Sequence, residues 1–148
     1  ADFKLDLGFP YLLPERYIES TQQRLDVYKR LAEIRSEDEL WQTREMLEDR
    51  FGKLPQPMAD LFTLIQVRLV AVGYGLAALE RVGGQVQARF TPGAAIDVER
   101  LMQALSKPEA GLKLLPGDRL LLGPMPATPA GVLERLQILA SIVRPQAA

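Results

Sequence analysis

The 148-residue chain is 47% apolar, 25% charged and 7% aromatic, the composition of an ordinary globular domain with one core and not of a disordered or fibrous segment. Eighteen Lys and Arg stand against 19 Asp and Glu, a net charge of -1, so no global field would hold nucleic acid or an anionic membrane surface. His and Cys are both absent, which excludes disulfides, thiol nucleophiles, zinc and haem ligation and the commonest general base near neutral pH.

The chain has no initiator Met and no basic stretch leading into an apolar one, so no signal peptide is read and an excised piece of a longer protein is expected. Phe3, Leu5, Leu7 and Phe9 alternate with Asp2, Lys4, Asp6 and Gly8, the period of a strand with one buried face, closed by Pro10 and Pro14. Residues 15–35 are expected to be a broadly buried helix. Leu25, Tyr28 and Ala32 form one apolar stripe on it, and Val27, Leu31 and Ile34 form a second. Ser36 with Glu39 three residues later is a capping box that opens another helix. That helix runs to Phe51, with Gly52 suited to the left-handed position beyond its end. Pro57 fits the first turn of a third helix that reaches about Val72. The low-charge run 61–79 is interrupted by Arg68, Gly73 and Gly75, and is read as a buried helix followed by a strand, not a membrane span.

Beyond Gly75 the pattern changes from helical to strand-like. Residues 76–82 and 86–91 flank Gly83-Gly84, a hairpin turn in which both glycines accept positive φ. Ile96, Val98, Leu101, Met102 and Leu105 suit a helix that ends near Lys107 and Pro108. Residues 112–115 and 119–122 flank Pro116-Gly117-Asp118 as a second hairpin. Thr128-Pro129 then opens a last helix carrying Val132, Leu136, Leu139 and Val143, and Pro145 stops it. Segments 76–107 and 112–144 each read strand, strand, helix, without a side-chain correspondence. The fold class is thus α+β, a helical N-terminal half followed by strand-strand-helix units that form a small, mainly antiparallel sheet. One domain over 1–148 is expected: an incoming strand and linker (1–14), a helical part (15–75), a sheet-and-helix part (76–144) and a tail (145–148).

No phosphate-cradling Gly-x-x-x-x-Gly-Lys-Ser/Thr occurs, so the chain is not a complete ATP-driven motor. Gly73-Tyr-Gly75-Leu-Ala-Ala78 matches a relaxed dinucleotide pattern, but a helix precedes it and a strand follows, the reverse of what pyrophosphate binding needs. The one dense acidic group lies in residues 36–49, six acids against the single base Arg44; this segment carries -5 and the rest of the chain +4. At 100° per residue, Leu40, Leu47 and Phe51 share one helix face, while Asp38, Gln42, Glu45 and Asp49 share the opposite one. Trp41 and Met46 sit beside that acidic ridge, with Glu48 next to Asp49. Large aromatic and thioether side chains at a charged surface suit an interface centre, so the ridge is a candidate docking surface for an Arg-bearing partner. A solvated face with Trp41 tucked against a neighbouring element is the plainer alternative. One exposed helix makes a poor metal cage, and no catalytic, cofactor or metal residues are assigned. A second alternative is a small nucleic-acid-binding module using Arg24, Lys29, Arg30 and Arg35, offset by Asp26 and Glu33.

Several separated motifs share a family pattern: Leu12-Leu-Pro14-Glu-Arg-Tyr17-Ile18, Arg24-Leu25-x-x-Tyr28-Lys29-Arg30, Glu39-Leu40, and Asp49-Arg-Phe51-Gly52-x-x-Pro55. In these the chain resembles the C-terminal (TRCF) domain of bacterial transcription-repair coupling factor, Mfd. The resemblance is specific from Leu12 to Pro57 and loose after Phe90. It implies a full-length protein that is an ATP-dependent translocase on double-stranded DNA, displaces stalled RNA polymerase and recruits the nucleotide-excision repair protein UvrA. It further implies a regulatory, autoinhibitory role for this domain, which docks on the N-terminal UvrB-like domain of the same protein and masks its UvrA-binding surface. A cytoplasmic location without membrane contact is expected with it. By position, Asp49 matches an acidic residue of the family's docking helix, while a second family carboxylate one turn earlier falls on Met46, with Glu45 and Glu48 adjacent. Leu25, Tyr28, Phe51 and Gly52 match structural positions.

Overall fold

The computed structural model describes residues 2–108 and 111–143. Its elements run β1 (Lys4–Asp6), α1 (Thr21–Ala32), α2 (Glu37–Phe51), α3 (Gln56–Gly73), β2 (Leu76–Val82), β3 (Gln85–Phe90), α4 (Val98–Leu105), β4 (Lys113–Leu115), β5 (Arg119–Pro124) and α5 (Pro129–Leu136), then a 3-10 turn over Gln137–Ser141. The α+β expectation holds: three helices occupy most of the first half, and the second half supplies four strands of a five-stranded mixed sheet of order β1-β2-β3-β5-β4, with β1 joining from the N-terminus. Only β1 is parallel to its neighbour; β2-β3, β3-β5 and β4-β5 are antiparallel. Both glycines of the first hairpin take positive φ, as Gly83-Gly84 requires, and in the second Gly117 and Asp118 do so. The second strands of the two hairpins, β3 and β5, pair at the centre of the sheet. Their helices do not share that symmetry, since α5 packs on α3 and α4 on the 3-10 turn.

Two hydrophobic clusters stand where the composition led us to expect one. The first gathers Ile18, Val27, Leu31, Ile34, Leu40 and Leu47 around the N-terminal half of α3, at Met58, Leu61, Phe62 and Ile65. The second gathers Leu79, Val86, Leu120, Leu122, Val132 and Leu136 around its C-terminal half, at Val67 and Ala71. An 18-residue helix is about 27 Å long, enough to pass through both. That explains the low-charge run 61–79, and no helix among the described residues is long and apolar enough to cross a membrane.

Helix limits differ from the sequence pattern at several points, chiefly for tertiary or capping reasons. The first helix begins at Thr21, not at residue 15: Tyr17 and Ile18 N-H groups close a single turn on the Pro14 carbonyl, and Ser20 then caps α1 by accepting from Gln23 N at 3.2 Å. The Arg24 guanidinium donates back to the Ile18 and Glu19 carbonyls at 2.7 and 2.9 Å and fixes this break. The helix also ends at Ala32, short of residue 35; of the two expected stripes only Val27, Leu31 and, just past the helix end, Ile34 are buried, while Leu25 is 57% exposed. The α4 helix starts at Val98, capped by Asp97, because Ile96 is drawn into a bridge with Val143. The last α-helix stops at Leu136 and tightens into the 3-10 turn, which lets Leu139 and Ile142 reach the sheet cluster. Pro145 and the tail 145–148 lie outside the described residues.

Candidate functional site

Helix α2 is a locally specified element. The Ser36 hydroxyl accepts from Glu39 N at 3.1 Å, and the Glu39 carboxylate reaches back one residue beyond the cap to accept from Arg35 N at 3.2 Å, a variant of the capping box. Glu37, Asp38 and Glu39 place negative charge on the positive end of the helix dipole. At the other end Gly52 takes φ +94° and donates to the Glu48 carbonyl at 2.9 Å. Leu40, Thr43 and Leu47 form the buried stripe, and the Thr43 hydroxyl is satisfied by the Glu39 carbonyl at 2.8 Å.

The family motifs brace this helix from behind. The Tyr17 hydroxyl lies 2.6 Å from the Gly52 carbonyl and 3.2 Å from that of Leu47, and its ring meets Phe51 at 5.8 Å. Burial is the main cause that raises the Tyr17 pKa above 10.0; the nearby Glu48 carboxylate adds to it and Arg44 opposes it. The Tyr28 hydroxyl accepts from Leu13 N at 2.7 Å and donates to the Tyr11 carbonyl at 3.1 Å, which holds the 11–18 segment against α1. Tyr17 and Tyr28 are therefore struts, and Arg24 is a cap.

Five of the seven ridge residues share one solvent-facing stripe: Asp38, Trp41, Gln42, Glu45 and Asp49 are exposed, at helical steps of three and four. Met46 and Glu48 are half-buried on its flanks. Met46 packs against the helical cluster and lines a shallow hollow with Val27, Arg30 and Phe51. Glu48 is held by Arg44 at 3.1 Å, and the same guanidinium lies over the Trp41 ring at 5.8 Å. The single base of the segment thus neutralises Glu48 and props Trp41, which stays 56% exposed and is not tucked against a neighbour. Among the described residues Asp38, Glu45 and Asp49 have no basic group within 4.0 Å. Glu45 and Asp49, one turn apart, supply an acidic pair on the face that Met46 leaves.

The basic residues on and just beyond α1 do not act as a set. Arg24 is occupied by carbonyls, Arg35 donates to the Ala32 and Ile34 carbonyls, and Lys29 and Arg30 are exposed. Arg68 was read in the sequence only as a break in an apolar run. It is half-buried beside Arg35, and the signal available was a cation at the middle of a core helix.

The TRCF domain family model matches residues 7–101. The transcription-repair-coupling factor of Escherichia coli is 38% identical over 77 residues, 52% of this chain and 7% of that protein. The Haemophilus influenzae protein of the same name is 30% identical over 105 residues, 70% of this chain and 9% of that protein. A solved structure described as the C-terminal domain of transcription-repair coupling factor superposes with a TM-score of 0.76 at 23% identity, covering 93% of this chain and 89% of that one. That likeness bears on the fold. The chain spans less than a tenth of the length of these curated relatives.

Proposed function

The chain belongs to the TRCF domain family, the C-terminal domain of transcription-repair coupling factors, and we propose that in such a protein it is an autoinhibitory lid. Its α2 stripe docks on the N-terminal UvrB-like domain and masks the surface that binds UvrA. The observation that carries this is the exposed stripe of Asp38, Trp41, Gln42, Glu45 and Asp49, three unpaired carboxylates around a propped indole. Unpaired acid fits an Arg-bearing counterpart, and an aromatic amid charge is the usual anchor of an interface. The lid needs only modest intrinsic affinity, because a tether raises the effective concentration to about millimolar. Contacts of this strength release when the motor, carried by other domains, engages polymerase and DNA in the cytoplasm. The domain itself then performs no catalysis and binds no cofactor; ATP-driven translocation and the handling of RNA polymerase belong to the rest of the protein.

The test is a titration of this chain against the isolated UvrB-like domain. Replacing both Glu45 and Asp49 by Lys should weaken binding about tenfold, and in the full-length protein the same changes should increase UvrA binding. Rising salt should loosen the contact, since rim charges are screened beyond about 8 Å at physiological ionic strength. Unchanged affinity of the double variant would overturn the assignment of the ridge. Tight binding of duplex DNA by this chain, lost on replacing Lys29 and Arg30 by Gln, would favour the nucleic-acid module instead.

A further inference from the structure

A second feature, independent of α2, lies where the end of α1 meets the middle of α3. Arg68 Nη2 donates to the Ile34 carbonyl at 2.8 Å, and Arg35 Nη1 donates to the same carbonyl at 3.3 Å. Two guanidiniums therefore converge on one oxygen, and their donor nitrogens are no further apart than these two bonds laid end to end. Among the described residues no carboxylate lies within 4.0 Å of either. Burial, and after it the charge of Arg35, lowers the Arg68 pKa, yet a guanidinium remains charged at neutral pH. The Ile34 carbonyl faces both positive charges, with the Ala32 carbonyl serving Arg35 as well at 3.2 Å, and neutral dipoles leave the pair short of the negative charge that a bound anion would supply.

The pair opens onto a cleft of about 620 Å³, whose walls include Asp2, Phe3, Ile34 and Val72. On its other side Arg68 lines a second hollow of about 350 Å³ with Phe3 and Tyr11. We infer that the cleft between α1, α3 and the Asp2–Phe3 segment is a docking site for an acidic peptide segment of a partner protein. In it an Asp or Glu carboxylate bridges Arg35 and Arg68, and an adjacent apolar side chain rests on Phe3 and Val72. Nucleic acid fits less well. Its phosphates are read by stripes of exposed cations, whereas here one of only two guanidiniums is half-buried and Phe3, Ile34, Leu69 and Val72 share the lining with them. A carboxylate on a flexible side chain reaches such a group and takes the planar fork of an arginine.

The experiment follows the side-chain Nε-Hε resonances of Arg35 and Arg68 by NMR during titration with the peptide acetyl-Ala-Leu-Glu-Leu-Ala-amide. Its Gln counterpart, inorganic phosphate and a short DNA duplex are titrated in parallel. Both arginine resonances should move with the Glu peptide, and the Gln peptide should bind about tenfold more weakly. Arg35→Gln should also cost about tenfold, and Asp2→Asn, which removes a repelling charge, should tighten binding. Because Arg68→Gln also removes a bond to Ile34, Arg68→Lys is the better variant: it keeps the charge, loses the fork and should still weaken the peptide. Equal binding of the Glu and Gln peptides, shifts that spare both arginines, absence of peptide binding, or response to phosphate or duplex alone would each overturn the assignment. None of these outcomes bears on α2.

Discussion

Tyr17 shows how much one side chain holds in place. Its hydroxyl serves the Gly52 and Leu47 carbonyls, and its ring covers Phe51. Tyr17→Phe keeps the ring and removes the bonds, so it should cost about 0.5–1.5 kcal/mol in urea unfolding at neutral pH. The raised pKa gives a second readout. The folded chain holds the phenolic proton more tightly than the unfolded chain, so this contribution is complete below pH 10.0 and is lost as pH climbs through the folded value. Wild-type stability should therefore fall above pH 10.0 more steeply than that of Tyr17→Phe, with a residual slope from Tyr11, which is raised for the same main reason. Parallel slopes would show that Tyr17 does not contribute. None of this was legible in the sequence, where Tyr17 stood only as part of a motif; its partners lie 30 and 35 residues away.

Helix α2 was legible because the signals that make it are local: a capping box, an acidic first turn, a three-and-four apolar spacing and a terminal glycine. Ser36→Ala removes the acceptor for Glu39 N and should cost about 1 kcal/mol, a fall in Tm of about 3 °C, while Ser36→Asp should restore it. Calorimetry distinguishes the two, and an unchanged Tm for the alanine variant would show that the cap is redundant. The ridge followed from the same periodicity, and five of its seven residues do share one exposed stripe. Met46 and Glu48 depart from it because the helix lies in a groove of neighbours, and its flanks are set by where α1 and the Tyr17 segment rest. The start of α1 was missed for a related reason. Helical spacing continues through residues 15–20, but the Pro14 turn and the Arg24 cap break the backbone there. The Arg35–Arg68 pair was hidden because the two residues are 33 positions apart and neither motif nor periodicity relates them.

At the scale of the molecule, α3 decides how the halves depend on each other. Met58, Leu61, Phe62 and Ile65 belong to one cluster, and Val67 and Ala71 to the other. Damage on either side should therefore reach the whole. Met58→Ala and Val132→Ala, each opening a cavity at about 1–4 kcal/mol, should lower one shared cooperative transition, and α3 amides should be the most protected in hydrogen exchange. Two separate transitions, each moved by one variant only, would show that the clusters fold independently. The composition could not separate one core from two, since both use the same residue types and the helix that joins them reads as a single apolar run.

That shared helix also sets an order of events during synthesis. Ala71 leaves the ribosome about 60 residues before Val132 and Leu136, which cover its end of α3. At roughly 5–20 residues per second this is an interval of about 3–12 s. Through it the N-terminal cluster has all its members while the face of α3 that α5 covers stays open, so the nascent chain carries a finished bundle with a sticky flank until α5 arrives.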